Sequence, residues 1–341
     1  HCLLTGVTAD ALGAHVLHEG EMTIAEALDD DGYQAGYFGR WWNGENVPHL
    51  AASQGFAVVG EVREAVQFVG ETKTPFFCMV AADAPGFCED LDAVKHGLEN
   101  LDGLVGKLTK AMPENTVVVL TADNGPTEVM DRQNGQLFGW AGRLDEGGLR
   151  VPAVWFWPGK IPAGLTTSEI SRHTDIFPTL LSFAGIDLPE DRQFDGIDLS
   201  PLLFEEGIER WPNRSFGAVW IPGRDLDEAK LAYRVTRWVA MNERRPGANL
   251  EHETWAIYDL LADPYQFYDI GEQYPWVLAA LKSDTWTWFR RTTYLRYEPV
   301  PTQVGRKDGK IVRLLPRAAL LEEYPGDGVS VLTGWSEPDF E

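Results

Sequence analysis

The sequence predicts an α/β fold in which a mostly parallel mixed sheet is flanked by helices and followed by a smaller C-terminal antiparallel subdomain. Three observations predict it. The runs Thr74–Asp83, Thr116–Thr121 and Val151–Trp157 are almost wholly apolar and of strand length, without polar alternation, which suits strands covered on both faces. Between the first two lies Asp90–Met112, whose apolar residues recur at intervals of three and four, the period of a helix resting one face on a core. Beyond about Trp211 the texture changes to short alternating segments bounded by polar or Gly/Pro clusters, the pattern of antiparallel strands.

Each element follows from local chemistry. Thr23-Ile24-Ala25-Glu26 forms a capping box that opens an amphipathic helix, and Gly32 is placed to close it in a left-handed conformation. A short strand, Tyr33–Phe38, comes next. The strand Thr74–Asp83 stops at Ala84-Pro85-Gly86. In the helix that follows, Leu91, Val94, Leu98, Leu101, Leu104, Val105, Leu108 and Met112 make the apolar stripe, and Pro113 ends it. Thr116–Thr121 is β-branched and apolar, so strand, helix and strand make a right-handed crossover unit whose ligands bind beyond the carboxyl ends of the strands. Asp123-Asn124-Gly125 stands at such an end. After a Gly-rich loop come Val151–Trp157, a turn at Pro158-Gly159, and a helix over Ile176–Ala184 with Gly185 after it. Leu231–Met241 and Thr254–Leu260 are the alternating segments, and Tyr274–Arg291 is helical after its Pro. Residues 1–211 are thus expected to form a core, 212–300 a C-terminal subdomain and 301–341 a C-terminal extension.

Composition excludes several function classes. A chain of 341 residues that is 44% hydrophobic and 24% charged buries a sizeable core. Its 29 Lys and Arg against 52 Asp and Glu give a net charge of −23, a field that repels phosphate backbones and anionic lipid. No nucleic-acid partner is expected. No window reaches the roughly 18 consecutive apolar residues of a membrane span. Cys2, Cys78 and Cys88 are too few for a disulfide framework and read as core or loop residues, and the Trp residues read as packing or surface aromatic contacts.

Asp123-Asn124-Gly125 alone has an ordinary reading, because Asn-Gly after a strand is a strong tight-turn signal. Its alternative is chemical: a carboxylate beside an amide oxygen offers hard ligands suited to Ca²⁺ or Mg²⁺. The surrounding phrases weigh between the two. They are Leu3-Leu4-Thr5-Gly6, Gly32 to Trp41, Thr121 to Gly125, Glu146 to Pro152, Trp157 to Gly164, Asp175 to Leu181, Asp195 to Leu203 and Ile257 to Leu260 with Asp263-Pro264. In that order they resemble the formylglycine-dependent sulfatases of the alkaline-phosphatase superfamily, over most of the chain.

The resemblance implies hydrolysis of an aryl or carbohydrate sulfate ester. It implies a Ca²⁺, with Mg²⁺ as the alternative, held by Asp123 and Asn124, and an alkaline-phosphatase-like sheet. It also implies a formylglycine nucleophile from a Cys-x-Pro/Ala-Ser-Arg motif and paired aspartates on a first strand, both upstream of His1. Residues 1–211 would then be a core without its N-terminal strand and nucleophile, and the polypeptide alone is expected to turn over little or nothing. A periplasmic or secreted location fits the same family.

The positions that would grip sulfate depart from the family pattern. Arg40 stands for a lysine, Trp42 for a histidine, Gly86 for a second histidine and Ala141 for a lysine, with Arg143 nearby. Arg holds an anion bidentately, with a geometry unlike that of an ammonium. Arg40, Trp42 and Arg143 are therefore the candidate substrate-binding residues, although Arg143 by itself reads as a solvated loop residue. His173 reads as support for the helix that follows it, and Arg150 with Glu146 as an ion pair that ties the loop. Arg306, Lys307, Lys310, Arg313 and Arg317, broken by Asp308-Gly309, read as a solvated ribbon. Two other functions share these residues: a non-catalytic pseudo-sulfatase binding a sulfated glycan or a protein, and a phosphoesterase of the same superfamily.

Overall fold

The computed structural model describes residues 2–5, 22–41, 49–82, 91–128, 134–205, 211–220, 230–242, 255–294, 302–307, 310–314 and 330–331. Trp42, Gly86, Cys88, Arg317 and the Asp308-Gly309 turn lie outside them. In chain order the elements are α1 (Cys2–Thr5), α2 (Ile24–Asp29), β1 (Gln34–Gly39), α3 (His49–Ala52), β2 (Val58–Gly60), α4 (Ala65–Glu71), β3 (Phe76–Ala81), α5 (Leu91–Ala111), β4 (Val118–Thr121), α6 (Glu146–Leu149), β5 (Ala153–Phe156), α7 (Ile176–Ala184) and α8 (Ser200–Leu203). Then follow β6 (Ser215–Trp220), β7 (Lys230–Val235), β8 (Trp238–Met241), β9 (Ala256–Asp259), α9 (Pro275–Tyr294), β10 (Thr302–Lys307), β11 (Lys310–Leu314) and β12 (Ser330–Val331).

The described residues divide into two compact units. One holds those up to Asp123 together with 151–212; the other holds 124–150 and those from 213 onward. The loop that follows Asp123 thus belongs to the second unit, a partition that the sequence pattern did not suggest.

In the first unit, β1 is central in a parallel sheet of order β2-β1-β3. The predicted capping box is present: Glu26 N donates to Thr23 Oγ1 at 3.2 Å, and Thr23 N donates to Glu26 Oε2 at 2.7 Å. Gly32 adopts φ +78°, as its place after the helix requires. The core between α2, β1 and α7 is aromatic, with Tyr37 edge-on to Trp41 and to Phe56 at 4.9 and 5.3 Å. On the opposite face Phe38 packs with Phe68 of α4. Gly39 follows at φ +115°, where a Cβ would run into the Ala81 carbonyl of β3, so only glycine lets the two strand ends approach.

The structure departs from the predicted crossover unit. β3 hydrogen-bonds to β1, whereas β4 pairs with β5, antiparallel, as a separate two-stranded sheet. β3 and β4 are therefore not paired with one another. The apolar stripe of α5 is also less covered than its period implies, because Val94 is its buried residue while Leu91 and Leu98 are 48% and 52% exposed.

The second unit contains the antiparallel meander β6-β7-β8-β9, packed on α9 through Ala240, Ile257, Val277 and Leu281. The segment Leu231–Met241, predicted as one stretch, is a hairpin of β7 and β8. β10 and β11 pair antiparallel around the predicted turn, with β12 parallel to β11.

Candidate functional site

β4 ends at Thr121, and Asp123 and Asn124 follow, both exposed. Each unit holds its own side of this stretch by separate contacts. In the first unit His173, in the turn before α7, places Nε2 2.8 Å from the carbonyl of Ala122 and 3.4 Å from Thr121 Oγ1. An imidazole N–H donating to that carbonyl fixes the backbone immediately before Asp123. Burial pushes the His173 pKa below its ordinary 6.5, against the smaller opposing pull of the Ala122 hydrogen bond and of Asp123 and Asp175. The neutral ring is thus the resident form. Asp175 ties the turn at His173 to the segment after Asp195. Its carboxylate accepts from Arg172 N at 2.6 Å and from Ile197 N at 3.0 Å, while Thr179 Oγ1 accepts from Leu199 N at 2.9 Å.

In the second unit the loop after Asn124 is pinned by its own backbone. Gly125 N donates to Gly148 O at 2.8 Å, and Ala141 N donates to Pro126 O at 2.7 Å. A Cβ at Gly125 would overlap the Gly147 carbonyl, so the close approach requires glycine. Asn124 Nδ2 donates to Gly125 O at 2.8 Å. Asp123 and Asn124 are consecutive and carry a carboxylate and an amide, oxygen groups of the kind a hard divalent cation takes. They fit as part of the roughly six to eight oxygens that Ca²⁺ takes. Among the described residues no group of three or more His, Cys, Asp or Glu is placed to hold a metal.

The remaining candidates are distributed unequally. Arg40 follows β1 with an exposed side chain, and its carbonyl accepts a hydrogen bond from Tyr37 Oη at 2.8 Å. Burial pushes the Tyr37 phenol up to about 12, so it stays a donor. Arg143 is not the solvated loop residue that its neighbourhood in sequence suggests. It is buried, its Nε donates to Asp145 Oδ2 at 2.8 Å, and its guanidinium lies 5.2 and 5.0 Å from the ring centres of Phe138 and Trp140. Its charge is answered inside the loop. Trp42 lies outside the described residues. Cys78 sits half-buried in β3 with its thiol pushed up to about 12 by burial, which makes it a poor nucleophile.

Sequence reasoning missed the anchor of the loop. Glu146 pairs mainly with Arg234 of β7, at 2.9 Å, and more distantly with the exposed Arg150, at 3.8 Å. Glu146 N also donates to Gln266 Oε1 at 2.7 Å. Gln266 is fully buried at φ +56°, and its Nε2 has no partner among the described residues. A strained, buried, half-satisfied side chain persists only where the surroundings hold it. No local pattern announces either partner, because Arg234 and Gln266 are 88 and 120 residues away in sequence.

Comparison with known proteins gives the ancestry. The family described as Sulfatase matches residues 58–186, and N-sulphoglucosamine sulphohydrolase, C-terminal, matches residues 140–286. Arylsulfatase G of Canis lupus familiaris is 38% identical over 125 residues, which cover 32% of this chain and 23% of that protein. Arylsulfatase A of Homo sapiens is 35% identical over 215 residues, covering 54% and 41%. The matched stretches thus span less than half the length of these relatives. Among solved structures, Ps i-CgsB in complex with k-i-k-neocarrahexaose superposes with a TM-score of 0.70 at 20% identity, covering 87% of this chain and 83% of the other. A protein solved in complex with its substrate D-glucosamine-2-N,6-O-disulfate superposes at 0.62 and 18%, covering 86% and 87%. These structural likenesses show an alkaline-phosphatase-like fold. The family matches over residues 58–186 and 140–286, with the curated relatives, identify the chain as a sulfatase family member.

Proposed function

We propose that the protein to which this chain belongs cleaves carbohydrate sulfate esters, with Asp123 and Asn124 holding a divalent cation, Ca²⁺ in preference to Mg²⁺. One observation carries the reading. Two adjacent hard-oxygen residues stand at the end of a strand, with Ala122 held by His173 and Gly125 by Gly148. Neighbours of similar fold solved with a sulfated sugar or a neocarrahexaose support the substrate class.

A bound cation offsets the charge on the sulfate oxygens and aligns the S–O bond. The chain's own residues do the rest. Asp123 and Asn124 present oxygens, and Arg40 offers two parallel N–H donors to a sulfate. His173 keeps its neutral ring on the Ala122 carbonyl, so the ligand pair does not wander. By the family pattern the nucleophile is expected ahead of Leu3-Leu4-Thr5-Gly6, and no residue of this sequence is assigned that role.

The test is sulfate release from glucosamine 2-N,6-O-disulfate by the polypeptide extended upstream through its nucleophile segment and matured. Release is expected, and Asp123→Ala reduces it by about 10²-fold or more, the scale of losing a group that stabilises developing charge. No release from the extended protein overturns the reading.

A second reading is favoured by Arg143. With its guanidinium tied to Asp145 and Ala141 where a lysine is usual, less free positive charge faces a sulfate than the family pattern provides. A non-catalytic binder of sulfated glycan then remains, identified by binding without hydrolysis in the same extended protein.

A further inference from the structure

Three Asn-Gly pairs occur in the chain, at 43–44, 124–125 and 134–135. The first lies outside the described residues, and the other two stand in the second unit, between Asn124 and Arg150. Such a pair is chemically labile, because glycine lets the following amide nitrogen turn toward the asparagine side chain without the hindrance of a Cβ. The fold treats the two pairs unequally. Gly125 N donates to Gly148 O at 2.8 Å, and a Cβ on Gly125 would overlap the Gly147 carbonyl, so this peptide plane is held by a bond and by close packing. Gly135 is exposed at φ +79°, and a Cβ there would meet nothing within 4 Å. Its amide has no acceptor among the described residues.

The reaction open to Asn134 needs water and no catalyst. Gly135 N gives up its proton to solvent and bonds to the side-chain Cγ of Asn134. The Cγ–Nδ2 bond breaks, and the nitrogen takes up a proton and leaves as ammonia. Water then opens the five-membered imide, at Cγ or at the main-chain carbonyl carbon, to leave aspartate or isoaspartate. Overall an amide and water become a carboxylate and ammonium, with no oxidant or reductant involved. At Asn124 the same first step requires the bond from Gly125 N to Gly148 O to break.

We propose that Asn134 is a site of spontaneous deamidation in the folded protein, and that the Gly148 carbonyl shields Asn124 from the same reaction. The product has a structural consequence. Asn134 Nδ2 donates to Gly147 O at 3.1 Å, while its Oδ1 is buried with no partner among the described residues. Deamidation replaces that donor with a charged oxygen, which sets two acceptors against one another where a charge is poorly solvated. The Gly147-Gly148 turn, whose second carbonyl holds Gly125, loses one of its ties. The backbone immediately after Asn124 is thereby loosened.

Peptide mapping by mass spectrometry tests it, on the chain incubated in mildly alkaline buffer both folded and in urea. The ratio of folded to unfolded rate at each site cancels the influence of sequence neighbours. For Asn134 the ratio is expected near unity. For Asn124 it is expected lower by about fivefold or more, the rate equivalent of one net hydrogen bond. Equal ratios at the two sites, or a lower ratio at Asn134, overturn the assignment. Amide exchange at Gly125 reads the consequence, and it is expected to be faster in Asn134→Asp than in wild type. Should that variant fail to fold, aged wild type, which acquires the charge after folding, gives the same reading. Unchanged exchange at Gly125 overturns the loosening.

Discussion

At position 173 an imidazole is kept neutral and spent on a backbone carbonyl. Replacing His173 with Ala leaves Ala122 O without that donor and costs about 1 kcal/mol, a typical net hydrogen-bond contribution. The pH dependence has a definite sign. Burial lowers the folded pKa below 6.5, so between 6.5 and that lower value the unfolded chain binds a proton that the folded chain does not. Stability from this group is full above pH 6.5, falls as the pH drops toward the folded value, and is flat below it. His173→Gln keeps a donor amide but has nothing to titrate. Urea midpoints at pH 7.5 and pH 5 should therefore differ less in this variant than in wild type. A variant with the same or a steeper decline removes His173 as the titrating group. The sequence reading took His173 as support for the helix that follows, and that helix was legible from Ile176 to Ala184 with Gly185 closing it at φ +74°. That its ring points to β4 was not legible, because 51 residues separate it from Ala122.

At the scale of elements, strands and helices with strong local chemistry were readable within a few residues. The capping box at Thr23, the Ile176–Ala184 helix and the strand before Asp123 each follow from cap residues, period or β-branched runs. The loop 134–150 was legible only as Gly-rich. Its order comes from side chains far away in sequence, above all the Glu146 to Arg234 pair, with 7% and 17% of the two side chains exposed. Without Arg234 the Glu146 carboxylate keeps only the exposed Arg150 at 3.8 Å, so Arg234→Met is expected to cost about 1–3 kcal/mol. The double variant Arg234→Met with Glu146→Gln, which removes the stranded carboxylate as well, is expected to recover part of that loss. Chemical denaturation of the four proteins gives the coupling energy directly. Additive single effects mean that the pair does not hold the loop, and that its backbone bonds to Gly125 and Pro126 suffice.

At the scale of the whole molecule, the first unit carries more exposed apolar surface than its sequence pattern calls for. The runs that became β3 and β4 read as strands covered on both faces, yet no residue of β3 is fully buried. In β4 and β5, Leu120, Val154 and Phe156 are 38%, 52% and 48% exposed. The stripe on α5 shows the same deficit, with Leu91 and Leu98 in solvent. Such patterning suits strands whose open edges take a further partner, and we propose that a further strand pairs between β3 and β4. If so, the facing edges of β3 and β4 are paired when that strand is present, and less apolar side-chain surface at those edges meets water. Extending the polypeptide upstream of His1 should raise the urea midpoint and lower the fluorescence of a bound anilinonaphthalene dye. It should also slow amide exchange along Phe76–Ala81 and Val118–Thr121, because each gains ladder partners. Unchanged exchange in both strands would mean that their facing edges take no partner from upstream. The apolar runs would then need cover from another surface, and the nucleophile, which the same upstream segment is proposed to carry, would have to be sought elsewhere.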